Sequence, residues 1–319
     1  MKNIPNSKFF LAFLFIFLEI SNVKSKLPVI AILANADPDD ASSAIRSRVN
    51  MQYVRWLEQS RADVVVIQPW YNETQIDEVL SKVNGVLWQG GSRNLDINGQ
   101  YESVARMILL KIIEKFENEN VSIPLWGTCQ GFELIHVLLV NSVDILSSFN
   151  SHNYQAPLII FEEIIRNSKM FSELDEKDKN NIKTKNVTSQ YHHLGVNPES
   201  YLKHKILHKM LKITSIAKDK DENYYIASIE GKKYPIYAVQ FHPEMVQFTK
   251  IDKKGVADSP EAVKFSEQIS NFLISEAKKN TNTMTPEDYK KYDYINSFEK
   301  LPVYDDGYYY YFFNKEEEK

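Results

Sequence analysis

The stretch from Ser122 to Leu139, "SIPLWGTCQGFELIHVLL", joins a short apolar run to a longer helical one through a small turn. Gly127 and Gly131 flank Cys129 at two residues on either side, which is the spacing of a nucleophile elbow between a strand and a helix. Small flanking residues are needed because the turn is tight and strained and neighbouring elements approach closely. The stretch therefore predicts a strand before Cys129, a helix after it and a sulfur displayed at the junction.

Strand-like and helix-like segments alternate on both sides of this turn. Continuous apolar runs of strand length suit strands that are buried on both faces, and the clearest helix carries apolar residues at three- and four-residue steps. In chain order the predicted elements are Leu27–Ala34 (strand), Ala44–Ser60 (helix), Asp63–Pro69 (strand), Gln75–Lys82 (helix), Gly85–Trp88 (strand), Tyr101–Asn118 (helix), Ile123–Trp126 (strand) and Gln130–Asn141 (helix). The pattern predicts an α/β fold with a doubly wound, mostly parallel sheet flanked by helices.

The second half of the chain is less regular. The segment Ser142–Tyr201 contains a charged run with little periodicity, and we predict a surface excursion there. Strands are expected at Asn223–Glu230 and Tyr234–Phe241, followed by a closing helix at Pro260–Lys279. In the C-terminal "YDDGYYYYFFNKEEEK" we interpret the four tyrosines as padding of a surface groove rather than as a binding box. No segment is rich enough in Gly, Pro or Ser to split the chain, so residues 26–319 are predicted to form one domain.

The first 25 residues have the character of a secretory signal peptide. Lys2 and Lys8 precede the apolar run Phe9–Leu18, and a cut after Ser25 is plausible. The run is too short for a comfortable transmembrane span, although an uncleaved anchor is the alternative. We therefore expect a secreted, lysosomal or vacuolar protein with no membrane contact after cleavage. The sequons that begin at Asn72, Asn120 and Asn186 would then be glycan acceptors.

Composition limits the partners. A net charge of −4 with 43% hydrophobic residues fits a globular protein with a sizeable core, and the absence of a basic stripe argues against nucleic acid. Small molecules or peptides are the expected partners, together with a second copy of the chain in a homodimer. No metal and no cofactor are predicted. Cys129 is the only cysteine among the 319 residues, so it is either an inert buried thiol or a reactive one.

The position of Cys129 favours reactivity. Sites in doubly wound sheets form at the carboxyl ends of strands, and the N-terminus of a helix favours negative charge, which would lower the pKa of the thiol. The backbone N–H of Gln130 is the natural first donor to an oxyanion. Gly90 or Gly91, in "WQGGS" after the third strand, would supply the second, and we favour Gly91.

A histidine and a carboxylate suited to such a thiol occur in "YAVQFHPEM". An apolar strand delivers His242 at its carboxyl end, Pro243 biases it away from helical geometry, and Glu244 can turn back onto it. A Cys/His/carboxylate trio supplies the oriented proton acceptor that a thiol nucleophile needs. The alternative for His242 is a surface histidine in a turn, and the context of the strand end disfavours it.

These three blocks, "PLWGTCQGFE", "YPIYAVQFHPE" and "NGVLWQGGS", resemble the class I glutamine amidotransferase-like superfamily and, within it, the gamma-glutamyl hydrolase family. The resemblance extends from about Leu27 to Lys279. It implies a cysteine-dependent hydrolase of γ-glutamyl amide bonds, including those of folylpoly-γ-glutamates. It also implies that Cys129 is the nucleophile, His242 the catalytic histidine and Glu244 its partner acid.

Two further residues are assigned only through the resemblance. His192 in "SQYHHLGVN" matches an additional active-site histidine, with His193 beside it as a competing register, and Glu133 matches a glutamate on the helix after the nucleophile. Both are expected at the substrate, and a surface or helix-packing carboxylate is the alternative for Glu133. The segment "AIRSRVNMQYVRWLE", which contains Arg48, and the charged run at residues 171–186 depart from the family pattern, and both bear on substrate preference.

Two rival functions remain at this stage. A glutamine-hydrolysing amidotransferase would attack the same γ-amide carbon, but no synthetase domain that would receive ammonia is recognisable, and a lumen is an unexpected place for such a partner. A secreted, catalytically idle binding protein of the same fold is the second rival, and it rests on the divergent substrate-side segments. Alkylation of Cys129 would separate it from an enzyme, because an activated thiolate reacts below the ordinary thiol pKa.

Overall fold

The computed structural model describes residues 27–36, 46–249, 254–296, 299, 302–305 and 308–315, and the expected signal peptide lies outside these ranges. The strands are β1 Val29–Leu33, β2 Asn35–Ala36, β3 Arg46–Asn50, β4 Asp63–Ile67, β5 Gly85–Trp88, β6 Leu125–Thr128, β7 Leu146–Ala156, β8 Thr188–Val196, β9 Leu211–Lys218, β10 Tyr224–Gly231, β11 Ile236–Val239, β12 Val303–Asp305 and β13 Tyr308–Asn314. The helices are α1 Met51–Gln59, α2 Glu73–Leu80, α3 Gln100–Asn118, α4 Gln130–Val140, α5 Glu162–Asn167, α6 Lys169–Ser172, α7 Glu176–Thr184, α8 Pro198–Lys203, α9 Lys205–Met210, α10 Met245–Phe248, α11 Pro260–Ala277 and α12 Pro286–Lys291.

The central sheet has seven strands in the order β4-β1-β5-β6-β11-β10-β9. The first five strands in this order run parallel to one another, while β10 is antiparallel to both of its neighbours. Every residue of β1, β5, β6 and β11 is buried, which explains why their sequences show no polar alternation. The predicted doubly wound, mostly parallel sheet is confirmed.

Two apolar layers cover the faces of this sheet. Successive residues of β1 point to opposite layers, so Ile30 and Ile32 pack with Trp56 and Trp126, whereas Val29, Ala31 and Leu33 pack with Trp88 and Phe132 on the other face. This alternation is what burial on both faces requires of a strand. Among the residues described, no helix combines the length and the apolar character needed to cross a bilayer.

The predicted helix Ala44–Ser60 is wrong in its first part. Residues 46–50 form β3, which pairs with β13 on one side and β2 on the other, and the helix α1 begins only at Met51. Asn50 caps α1 by accepting a hydrogen bond from the Gln52 N–H at 2.9 Å. Local periodicity could not reveal β3, because its partner β13 lies at the far end of the chain.

The predicted surface excursion at Ser142–Tyr201 is also wrong. The long strands β7 and β8 pair as an antiparallel hairpin, and the charged run between them folds into α6 and α7. Phe171, Leu174 and Ile182 from this run are buried in the core. Most of the charges lie on the solvent side of short helices whose apolar residues are too few to show a helical period.

Candidate active site

The backbone at Cys129 adopts the predicted tight turn. Cys129 has φ 52° and ψ −110°, a strained conformation for a residue with a side chain, and it directly precedes α4. A Cβ on Gly127 would lie 2.7 Å from the Gly131 carbonyl oxygen, and one on Gly131 would lie 2.2 Å from the Trp88 carbonyl oxygen. The flanking glycines are therefore required by close contact between β5, β6 and α4.

His242 lies just beyond the carboxyl end of β11 and is oriented by Glu244. Its Nδ1 is 2.7 Å from Glu244 Oε1, and both side chains are buried. The His242 backbone N–H donates to the Ser189 carbonyl oxygen at 2.9 Å, which ties this loop to β8. Nε2 of His242 has no oxygen or nitrogen partner in the part of the chain that the structure describes, and the ring interacts with the Cys129 thiol. That nitrogen is thus available to exchange a proton.

Cys129 and His242 lie on either side of Gly90. A Cβ placed on Gly90 would be 2.9 Å from His242 Cε1 and 3.3 Å from Cys129 Cβ. One carbon atom would therefore touch both side chains, so the structure brings the predicted nucleophile and the predicted base together. The parallel pairing of β6 with β11 produces this juxtaposition, because both side chains follow the carboxyl ends of adjacent strands.

The pKa values of the two groups are coupled. Burial raises the pKa of the Cys129 thiol, and interaction with His242 offsets only part of this effect. The expectation that the helix N-terminus gives a lowered thiol pKa is therefore wrong, because burial outweighs it. Burial lowers the pKa of His242, but the negative charges of Glu244 and Cys129 outweigh burial and raise that pKa well above its usual value. A negative Cys129 favours a positive His242, and a positive His242 favours a negative Cys129. The two groups therefore titrate as a coupled pair.

The loop after β5 contains the predicted oxyanion donors. The Gly90 N–H donates to the Tyr53 hydroxyl at 2.8 Å, and the Gly90 carbonyl accepts from Asn35 Nδ2 at 2.8 Å. Both glycines line the cavity in front of Cys129, but the Gly90 N–H is already engaged. A Cβ on Gly91 would lie 2.6 Å from Gln130 Oε1, so the loop and the start of α4 are in contact. The oxyanion roles of Gly91 and of the Gln130 N–H stay predictions.

A cavity of about 300 Å³ opens in front of the Cys129 and His242 side chains. Its walls combine the two catalytic candidates with polar, cationic and aromatic side chains. They are formed by Asn35, Ala36, Arg48, Asn50, Gln52, Tyr53, Gly90, Gly91, Ser92, Arg93, Cys129, His152, Tyr191, His242, Glu244, Met245, Tyr308 and Tyr310.

Glu133 and His192 are buried and do not line this cavity. Burial raises the pKa of Glu133 to about 7, and a hydrogen bond from Gln240 Nε2 at 2.9 Å opposes this shift. Burial lowers the pKa of His192 to about 3, so its ring is neutral. Substrate contact by either residue stays a prediction. Their buried positions suit a role in holding neighbouring side chains in place. The adjacent His193 is exposed, and its ring stacks on the cavity residue His152 at 4.8 Å.

Sequence reasoning missed several cavity residues, notably Tyr53, Arg93, Tyr308 and Tyr310. The tyrosine run gave no usable signal, because four identical residues in a row hide which of them face the same side of a strand. In the structure Tyr308 and Tyr310 line the cavity, while Tyr311 is buried in the core. The interpretation of the run as padding of a surface groove is therefore wrong for these two residues. Within the described ranges, no cluster of three or more His, Cys, Asp or Glu side chains could hold a metal ion.

Glu133 leads to a prediction about stability and pH. Because its pKa is raised from 4.5 to about 7 in the folded state, the folded protein holds a proton that the unfolded chain releases. Folding stability should therefore decrease by about 3 kcal/mol as pH rises from about 4.5 to about 7. In Glu133→Gln this decrease should be absent.

The measurement is thermal or denaturant unfolding of both proteins across that pH range. Buried histidines such as His192 also respond to pH, but they are common to both proteins and drop out of the difference. Glu199→Gln, at an exposed position, is the matched control. Parallel stability curves for the wild type and Glu133→Gln would show that folding does not raise the pKa of Glu133.

The chain is similar to known proteins over most of its length. Residues 46–257 match the family model "Glutamine amidotransferase class-I". The gamma-glutamyl hydrolase of Rattus norvegicus is 34% identical over 280 residues, which cover 88% of this chain and 86% of that protein. The gamma-glutamyl hydrolase of Mus musculus is 33% identical over 261 residues (82% and 81%). Gamma-glutamyl hydrolase B of Dictyostelium discoideum is 30% identical over 287 residues (88% and 82%).

Proposed function

Because this chain belongs to the gamma-glutamyl hydrolase family of the class I glutamine amidotransferases, we propose that it hydrolyses γ-glutamyl amide bonds with Cys129 as the nucleophile. The observation that carries the proposal is the placement of His242. Glu244 holds its Nδ1 at 2.7 Å, its Nε2 has no oxygen or nitrogen partner within the described residues, and its ring faces Cys129 across Gly90.

The reaction begins with transfer of the Cys129 proton to His242 Nε2 as the sulfur attacks the γ-carbonyl carbon. Glu244 accepts the Nδ1 hydrogen bond and stabilises the imidazolium that forms. In this proposal the N–H groups of Gly91 and Gln130 donate to the oxygen on which negative charge develops. His242 then gives its proton to the leaving amine, so that the C–N bond breaks and a γ-glutamyl thioester remains on Cys129.

Hydrolysis of the thioester completes the cycle. His242, now neutral, takes a proton from a water molecule as that water attacks the acyl carbon. The C–S bond breaks, and the sulfur recovers its proton from His242. The products are the free amine and a glutamate whose γ-carboxylate is restored, and no cofactor is consumed.

Product analysis tests this function against its rivals. The protein is supplied with γ-linked diglutamate, with α-linked diglutamate of the same composition, and with glutamine. We expect glutamate release from the γ-linked substrate, none from the α-linked one, and ammonia release from glutamine at a kcat/KM lower by about a hundredfold, because glutamine lacks the second glutamate unit. Faster release of ammonia from glutamine would indicate an amidotransferase-like enzyme. A folded protein that turns over none of the three would be an idle binding protein.

The proposal also covers the natural substrate of the protein, its cellular compartment and its oligomeric state. Folylpoly-γ-glutamates are the candidate substrate, and analysis of the pteroyl products would show where the tail is cut.

The compartment is a secretory, lysosomal or vacuolar lumen, supported by the character of residues 1–25. N-terminal sequencing of the mature protein tests this, since it should begin after Ser25. A homodimer stays a prediction that light scattering would test.

A further inference from the structure

The side chain of Gln130 connects the start of α4 to the loop that follows β5. Its Nε2 donates a hydrogen bond to the Arg93 carbonyl oxygen at 2.5 Å, and the residue is buried. Its Oε1 has no hydrogen-bond partner among the described residues, so the bond to Arg93 is the contact that orients the amide. We call the hydrogen bond between Gln130 and Arg93 the amide bridge.

The amide bridge joins the two segments that carry the proposed oxyanion donors. One donor is the N–H of Gln130 itself, and the other is the N–H of Gly91, two residues before Arg93. The side chain also touches the loop at Gly91, since a Cβ placed there would lie 2.6 Å from Gln130 Oε1. The separation of the two donors therefore depends on where the Gln130 side chain holds the loop.

The far end of the loop is fixed on the first turn of α3. The guanidinium carbon of Arg93 lies 4.7 Å from the centre of the Tyr101 ring, and its Nη2 lies 3.9 Å from Glu102 Oε2. The other oxygen of Glu102 accepts a hydrogen bond from the Asp96 N–H at 3.1 Å. Tyr101 and Glu102 are both buried. The Arg93 carbonyl is therefore a firmly placed acceptor for the bridge.

Gly91 is the least constrained part of the loop. Its neighbour Gly90 is held by Tyr53 and Asn35, whereas Gly91 is exposed and, as a glycine, can reorient its peptide group at little cost. Oxyanion donors are effective only when they are already aligned before charge develops. The contact with Gln130 is thus well placed to limit the motion of the Gly91 N–H.

We propose that the Gln130 side chain is a positioning residue for hydrolysis, which holds the N–H groups of Gly91 and Gln130 at the separation that a developing oxyanion requires. The proposal rests on the proposed function and adds a positioning role to it. The alternative is that the amide bridge only stabilises the fold around α4. That alternative predicts a loss of stability without a specific loss of kcat.

Gln130→Met tests the proposal, because methionine has a similar length and keeps the backbone N–H but cannot donate to the Arg93 carbonyl. We expect kcat for γ-linked diglutamate to fall about thirtyfold, less than the loss on removing a donor outright, since both N–H groups remain but lose their alignment. KM should change by less than about twofold. A thermal unfolding curve verifies that the variant is folded.

Alkylation of Cys129 by iodoacetamide separates loss of the oxyanion donors from damage to the nucleophile. This reagent reacts at a saturated carbon, so no oxyanion develops in the reaction. The rate and pH profile of alkylation in Gln130→Met should therefore match those of the wild type, although kcat falls. A parallel loss of alkylation and hydrolysis would overturn the positioning role, because it would show that the substitution disturbs the sulfur itself.

Arg93→Met is the second variant, and it loosens the loop without touching α4. It should lower kcat by about fivefold with KM nearly unchanged, because the carbonyl acceptor remains but is less firmly held. A rise in KM with unchanged kcat would assign Arg93 to ligand binding and overturn its part in the bridge.

Gln155→Met is the matched control. It loses the same kind of bond, from Nε2 to the Val256 carbonyl oxygen at 2.7 Å, away from the residues that line the cavity, and it should keep the wild-type kcat. A kcat of Gln130→Met within about twofold of the wild type would overturn the bridge and leave the hydrolase intact. Failure of the wild type to cleave γ-linked diglutamate would instead overturn the proposed function, and the positioning role with it.

Discussion

Cys129→Ala should abolish hydrolysis of γ-glutamyl substrates, with a loss in kcat of about 10⁴-fold or more. The substitution removes the atom that forms the acyl intermediate, and the remaining oxyanion donors and binding contacts cannot replace it. Stability should change little, because the side chains differ by one buried sulfur atom. The measurement is glutamate release from γ-linked diglutamate, with a thermal unfolding curve to verify the fold.

Cys129→Ser is the informative companion. It keeps a nucleophilic atom in nearly the same place, but a hydroxyl is far harder to deprotonate than a thiol. We expect its activity to be close to that of Cys129→Ala. Retention of more than about a tenth of the wild-type kcat by Cys129→Ala would show that Cys129 is not the nucleophile.

Gly90→Ala should have the second largest effect, a decrease in kcat of about a hundredfold. The new Cβ would lie 2.9 Å from His242 Cε1 and 3.3 Å from Cys129 Cβ, so the imidazole must move away from the sulfur. A displacement of this kind misaligns proton transfer without removing any reacting group. The decrease should therefore appear in kcat more than in KM.

Two further variants separate misalignment from general damage. Gly195→Ala is the matched control, since its Cβ would meet Phe149 at 3.2 Å and lies outside the cavity. The double variant Gly90→Ala with Tyr53→Phe removes the hydroxyl 2.8 Å from the new carbon but leaves the clash with His242. It should remain impaired. Recovery of activity in the double variant would instead assign the loss to the Tyr53 contact.

The sequence predicted the parts of the molecule that depend on local pattern. The continuous apolar strands, the glycines around Cys129 and the strand that ends at His242 each have a physical signature within a few residues. The parallel sheet then brings the two strand ends together, because neighbouring parallel strands end at the same edge. The identity of the catalytic candidates could therefore be inferred before their distance was known.

The parts that could not be predicted depend on contacts between distant segments. The strand β3 exists because β13 pairs with it from the other end of the chain, and a helical pattern beginning at Met51 obscured the boundary. Tyr308 and Tyr310 reach the cavity through the same pairing. The pKa of Cys129 is a further case, since burial outweighs the helix N-terminus, and burial is a property of the whole fold.

The central claim is that His242 acts directly on the sulfur of Cys129, and the pH dependence of Cys129 alkylation tests it most directly. The chain has a single cysteine, so uptake of a thiol-alkylating reagent reports on one atom. The charge of His242 lowers the pKa of the thiol, and its removal in His242→Asn should raise that pKa further. We predict that the wild type becomes reactive at a lower pH than His242→Asn, and that a γ-glutamyl substrate slows the labelling of the wild type. Superimposable pH profiles for the two proteins would contradict the account.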